Sequence, residues 1–137
     1  MPGAPMGMAF SATSPGGHTI TIDVPELSGG NDTGPQPLDL LLLSLGSCTG
    51  MDVIAILRKK RQTITEYTVN VYANQAIRHP RVYTEILVEH IITGVSVLPE
   101  AVRRSVELSI TGYCPVHAML SRSTDITHVY RVLEDER

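Results

Sequence analysis

The chain has 137 residues, a formal net charge of −3 and a pI near 5.9, with two cysteines, one Phe and no Trp. That length suits one domain with a core of its own, and the acidic balance and scarce aromatics argue against a nucleic-acid footprint or a base-stacking platform. Two cysteines do not make a disulfide scaffold, and the start, Met1-Pro2-Gly3-Ala4-Pro5, has no basic segment followed by an apolar one. A reducing, cytoplasmic setting is therefore expected, in which cysteines are free, metal-bound or redox-active.

In chain order, residues 6–24 predict a hairpin. Met6, Met8 and Phe10 alternate, Ser14-Pro15-Gly16-Gly17 supplies a turn, and Ile20, Ile22 and Val24 alternate with Thr19, Thr21 and Asp23. Residues 25–37, rich in Pro and Gly, predict a long loop, either functional or mobile. Residues 37–61 then form the most apolar stretch of the chain and predict one long helix, Pro37 in its first turn with Asp39, and Arg58-Lys59-Lys60-Arg61 in its last. Being apolar nearly all round, it is expected to be buried on most sides. Leu40–Leu57 followed by four basic residues also imitates a membrane span, but Asp52, two glycines and three hydroxyl side chains interrupt it, and no membrane association is expected.

Tyr67, Val69, Val71 and Ala73 alternate with polar neighbours, as do Thr84, Ile86, Val88, His90 and Ile92, which predicts an antiparallel pair joined through Arg78-His79-Pro80-Arg81. Pro99 opens a second helix with a buried stripe of Ala101, Val102, Ser105, Val106 and Ser109, and Gly112 is its expected terminator. Cys114-Pro115 starts a third, short helix to about Ser121, residues 124–133 form a last strand, and the tail is expected to fray. The fold class is α+β, a single domain of antiparallel strands packed against a long helix.

Two residues invite chemistry. Cys114, at the expected N-cap of the third helix, faces amide N–H groups and a positive dipole end that favour thiolate, and His117 lies three residues on. Cys48 sits mid-helix with Asp52 one turn away. Burial and that acid would both raise its pKa, so its pattern reads as packing unless a cation lies nearby. Gly46 and Gly50 flank it at a cost of about 1 kcal/mol each in helix propensity, which implies a close approach, by a neighbouring strand or a small ligand. Cys114-x-x-His117, with Cys48, His79, His90 or His128, is a weak metal pattern, and no metal or other cofactor is expected. No hydrolase elbow, phosphate loop or dinucleotide fingerprint is present.

The segments Leu40–Asp52 and Tyr113–Leu120, with Gly34–Leu40, Arg58–Arg61 and Ile126-Thr127-His128, resemble the OsmC/Ohr superfamily, in particular its OsmC-like, YhfA-type branch, over nearly the whole chain from about residue 18. The resemblance implies an OsmC-like fold, with antiparallel sheets wrapped around long central helices in an intertwined homodimer. It implies a thiol-dependent reductase of small hydroperoxides served by a dithiol reductant, with Cys48 as peroxidatic nucleophile and Cys114 as resolving thiol. Residue chemistry alone favours Cys114 as the reactive thiol; the resemblance assigns first attack to Cys48. The organic-hydroperoxide branch also uses an N-terminal Arg and a Glu ten positions before the nucleophile. Here residues 1–57 contain no Lys or Arg, and position 38 is Leu. Asp39, Arg78 and Arg81, the arginines from this chain or a second copy, are the candidates to support the thiolate, with His117. If none does, the alternative is a non-catalytic redox-sensing or small-ligand-binding protein.

Overall fold

The computed structural model describes residues 7–137; Met6, the first residue of the expected hairpin, lies outside them. The described residues divide into two compact units, one ending at residue 41 and one spanning 42–137.

In the first unit, β1 (Phe10–Thr13) and β2 (Thr19–Ile22) pair antiparallel across the expected turn, where Gly17 takes the left-handed φ of 87°. The following loop is pinned rather than mobile. Asp23, 1% exposed, accepts hydrogen bonds from the amides of Val24 (2.8 Å), Asn31 (3.2 Å) and Thr33 (3.1 Å) and from the Thr33 hydroxyl (2.6 Å). Those donors, the Thr33 hydroxyl first, hold its carboxyl at about 2, well below the usual carboxylate range. Gly34 passes so close to β2 that an added Cβ would lie 2.2 Å from the Thr21 carbonyl oxygen.

Helix α1 (Pro37–Lys59) begins as expected. It ends in a two-bond C-terminal motif: Arg61 adopts φ 57°, its amide donates to Arg58 O (3.0 Å), and the Gln62 amide donates to Leu57 O (3.0 Å). The expectation of burial on most sides is corrected within one chain. Leu45, Gly46, Thr49, Gly50, Val53 and Leu57 are buried, whereas Leu43 and Met51 are 58% and 69% exposed. One face of α1 thus serves this chain's core, and an apolar opposite face is left open.

The second unit holds a three-stranded sheet in the order β3 (Thr63–Gln75), β4 (Tyr83–Val95), β5 (Asp125–Glu134). β3 and β4 are antiparallel, as the alternation predicts. β5 instead joins β4 parallel, because α2 (Pro99–Leu108) and α3 (Pro115–Leu120) carry the chain back across before it starts. The sheet is therefore mixed within an α+β fold. The tail does not fray at its start: both Glu134 carboxylate oxygens accept the Ser96 amide at 3.0 Å, and the Asp135 amide donates to Gly94 O at 2.8 Å.

α1 and β3 meet at the two glycines. A Cβ at Gly46 would lie 2.8 Å from Val71 Cγ2, and one at Gly50 3.3 Å from Val69 Cγ2. The close approach is therefore that of a strand. Two apolar clusters result: Val53, Leu57, Ile92, Val102 and Val106 with their neighbours, and Leu45, Ile86 and Val88 with theirs.

Candidate functional site

Between α2 and α3 the chain forms one π-turn, Ser109–Tyr113. Gly112 lies inside it and does not terminate a helix in the left-handed conformation. The turn adds a residue to the helical repeat, closing with the Cys114 amide on Ser109 O at 2.9 Å. It thereby sets two side chains. Ser109 points back to α1, where its hydroxyl donates to Asp52 Oδ2 at 2.9 Å and lies 2.9 Å from Thr49 Oγ1. With its one proton given to Asp52, Ser109 must accept from Thr49. Cys114 becomes the N-cap of α3, and its sulfur accepts the His117 amide at 3.3 Å.

The outcome is a compact cluster. The sulfurs of Cys48 and Cys114 and a carboxylate oxygen of Asp52 all lie within 4.8 Å of one another. Both cysteines are free, Cys48 half-buried and Cys114 3% exposed. A disulfide needs an S–S distance of about 2.05 Å, so the two free sulfurs would have to draw closer to bond.

The N-cap geometry expected of Cys114 is present, but its expected consequence is reversed. Burial pushes the Cys114 thiol up to about 11. The His117 amide opposes that shift, and the neighbouring Cys48 sulfur reinforces it. Desolvation outweighs the short helix's dipole, and at neutral pH Cys114 is a protonated thiol.

His117 does not share a ligand site with Cys114, as the C-x-x-H spacing suggested. Its ring takes part in a row of side chains that the sequence leaves hidden. Tyr67 Oη lies 2.6 Å from His90 Nδ1, His90 Nε2 lies 3.0 Å from His128 Nδ1, and His128 Nε2 lies 3.2 Å from His117 Nδ1. Strand register explains the row: Val69 is opposite His90 and Val88 opposite His128, so Tyr67, His90 and His128 sit diagonally on neighbouring strands. Burial drives His90 down to about 4 and lowers His117. Burial, then the two neighbouring rings, drives His128 down to about 3. Burial, then the charge of Asp52, raises Tyr67 above its ordinary value. The only sequence hint was His90, the one polar residue in an otherwise apolar buried stripe of Ile86, Val88 and Ile92.

The other expected residues lie elsewhere. Asp39 is in the first unit, where Gln36 Nε2 donates to it at 3.4 Å. Arg78 and Arg81 are exposed in the β3–β4 connection with His79. Among the described residues no Arg or Lys hydrogen-bonds to Cys48; the sulfur's neighbours are Cys114 and Asp52. The donor group that could hold a thiophilic metal ion is Cys48, Asp52 and Cys114, a different set from any C-x-x-H arrangement.

Set against known proteins, residues 29–129 match the family described as OsmC-like protein. "Protein YhfA" of Escherichia coli strain K12 is 35% identical over 127 residues, covering 93% of this chain and 92% of YhfA. A crystal structure of a hypothetical protein from Aquifex aeolicus VF5 is 33% identical with a TM-score of 0.81, covering 93% of this chain and 89% of that one. The organic hydroperoxide resistance protein OhrB of Bacillus subtilis matches in fold alone, at 13% identity and a TM-score of 0.59, over 91% of this chain and 97% of that one. With the long helix, the mixed sheet and the Cys114-Pro115 turn all in place, the chain belongs to the OsmC-like protein family.

Proposed function

We propose that the protein is a thiol-dependent hydroperoxide reductase in which Cys48 attacks and Cys114 resolves. One observation carries the reading: two sulfurs far apart in sequence lie with a carboxylate inside a 4.8 Å cluster, one half-buried and one sealed. The fold shared with organic hydroperoxide resistance proteins supports the substrate class.

The chemistry follows from the asymmetry. Cys48 is the sulfur that solvent and a small substrate reach. Its thiolate attacks the peroxide oxygen, an S–O bond forms, the O–O bond breaks, and the alkoxide leaves to take a proton as alcohol. Cys48 is then a sulfenic acid. The neutral Cys114 thiol waits behind it. Its sulfur displaces the hydroxyl, the S–S bond forms, and its proton leaves with hydroxide as water. A dithiol then returns two electrons and two protons. Asp52 is held by Ser109 next to both sulfurs, where it can accept or return the proton that each step moves.

The open apolar face of α1, with Leu43 and Met51, supports a homodimer in which a second copy covers that face. Among the described residues no Arg or Lys hydrogen-bonds to Cys48, which favours the second reading, a redox-sensing or small-ligand-binding protein without turnover. Hydroperoxide consumption with dithiothreitol as reductant separates the two. Cys48→Ser is expected to reduce turnover by at least about 1,000-fold. Cys114→Ser is expected to stop after one equivalent, leaving a sulfenic acid that dimedone traps. Turnover unchanged in Cys48→Ser removes that residue from the mechanism, and no catalytic consumption by the wild type removes the reductase reading. Stoichiometric zinc in purified protein would replace it with a metal site.

A further inference from the structure

Two thiols and a carboxylate are donors suited to a thiophilic divalent cation rather than to magnesium or calcium. Around a tetrahedral zinc ion, with Zn–S about 2.3 Å and Zn–O about 2.0 Å, such donors stand roughly 3.5–3.8 Å apart. The Cys48 and Cys114 sulfurs and an Asp52 carboxylate oxygen all lie within 4.8 Å of one another. The cluster therefore has to tighten by no more than about 1 Å to close on an ion.

The groups behind these donors are in place as well. Asp52 Oδ2 accepts the Ser109 hydroxyl at 2.9 Å, and the buried Thr49 hydroxyl lies 2.9 Å from that of Ser109. A carboxylate has about four acceptor positions, so one bond from Ser109 orients Asp52 and leaves it able to bind an ion. Cys114 Sγ accepts the His117 amide at 3.3 Å, a bond that a metal-bound thiolate keeps and that fixes its direction. α1 holds Cys48 and Asp52 one turn apart on one face, and the π-turn delivers Cys114 against them. Cys48 and Asp52 are half-buried and give an ion its way in, whereas Cys114, 3% exposed, closes the far side. Charge points the same way. Ionised, the three donors carry three negative charges, and among the described residues no Arg or Lys hydrogen-bonds to Cys48.

We propose that the reduced protein takes up one zinc ion on Cys48, Asp52 and Cys114, and that this ion and a Cys48–Cys114 disulfide exclude one another. The proposal goes beyond the reductase reading and shares with it only the two thiols. Three protein ligands leave the fourth position of zinc open to water, so the ion is exchangeable, unlike one sealed in a four-ligand structural site. When zinc is bound, the Cys48 sulfur is committed to it and withheld from any electrophile. When zinc is absent, the two thiols are free to react. Zinc is thus a reversible brake on these thiols, and their oxidation releases it.

Both directions balance. On uptake the two thiols lose their protons to water and two S–Zn bonds form, with zinc remaining a 2+ ion. On oxidation by diamide the two sulfurs give up two electrons, both S–Zn bonds break and one S–S bond forms. Diamide takes those electrons with two protons from water and becomes the hydrazine, and Zn²⁺ leaves.

The test uses the full chain, reduced with a phosphine and freed of metal with a chelator that is then removed. Co²⁺ is added first as a coloured substitute, then Zn²⁺ to displace it. One equivalent of Co²⁺ is expected to bind with thiolate-to-cobalt charge-transfer absorption and the visible bands of a tetrahedral ion, and one equivalent of Zn²⁺ to abolish both. Wild-type protein carrying the disulfide made with diamide is expected to bind neither ion. Cys48→Ser, Cys114→Ser and Asp52→Asn are each expected to weaken zinc binding at least about 100-fold, and Ser109→Ala about 10-fold. Bound zinc is expected to slow alkylation of Cys48 by iodoacetamide at least about tenfold, since only a free thiolate attacks, and added EDTA to restore it. Absence of charge-transfer absorption in a large excess of Co²⁺ overturns the site. So does zinc binding that persists in the disulfide form, which has the same sequence and needs no variant to fold. Alkylation unchanged by bound zinc overturns the brake. No readout involves a hydroperoxide, so a protein that never turns over peroxide can still bind zinc here, and a working reductase can still refuse it.

Discussion

Asp23 in the first unit is a buried carboxylate and Asp52 in the second a half-buried one, and their partners set them to different uses. Asp23 is tied down: three amides and a hydroxyl donate to it, and the loop after β2 is folded around it. Its burial closes it to another molecule. Asp52 accepts from Ser109 and otherwise faces two sulfurs. A buried acid held by four donors is architecture, whereas one beside two thiols has, on the proposed mechanism, a part in their chemistry. The histidine row repeats the contrast in neutral form, since each ring has its partners but none is committed to one direction of donation.

Acid titration should show the largest difference between these regions. His90 and His128 stay neutral in the fold down to about 4 and about 3, while in the unfolded chain they take up protons near 6.5. The unfolded state therefore binds more protons over that interval, and stability falls as pH drops from about 6.5 to 4. His90 alone accounts for ~3 kcal/mol of that loss. Asp23 is depressed to about 2, so its contribution is intact above the ordinary carboxylate pKa and is lost only as pH falls from about 4 through 2. Urea midpoints measured from pH 7 to 2 should show the second unit weakening first. A stability that is flat between pH 7 and 4 would break the comparison.

Ser109→Ala comes next. It removes the donor to Asp52 and the acceptor for the buried Thr49 hydroxyl, at about 1–3 kcal/mol, measurable by urea unfolding. It also leaves Asp52 less restrained, so a change in the pH dependence of Cys48 alkylation should accompany the loss. Gly46→Ala is the smallest. Helix propensity gains ~1 kcal/mol, but the new Cβ meets a stiff valine on β3 at 2.8 Å. A net loss of about 1 kcal/mol is expected, and a gain in thermal midpoint would show that helix and strand have room to separate.

The sequence carried the elements well and the site poorly, for physical reasons. Periodicity placed α1 from Pro37 and the buried set Ile86, Val88, His90 and Ile92, because a helix face and a strand face each leave a local repeat. The same alternation has no direction, so the parallel entry of β5 could not be read from it. Asp23 occupied a polar place in an alternating run; only the loop that folds onto it buries it. His90 and His128 read as separate metal candidates, since strand register alone makes them neighbours. The N-cap of Cys114 was legible, but burial decides its protonation, and burial is a property of the whole unit. The proximity of Cys48 to Cys114 depends on tertiary structure throughout, and only family resemblance anticipated it.

The π-turn at Ser109–Tyr113 has one further consequence. Its single inserted residue sets the phase between α2 and everything after it. Excising one residue there would restore an ordinary α-helical repeat and swing Cys114 about 100° around the axis, away from its partner sulfur, with every reactive side chain still in place. The nearness of the two sulfurs is therefore written partly in chain length, and a one-codon deletion could separate them without altering the chemistry of any group.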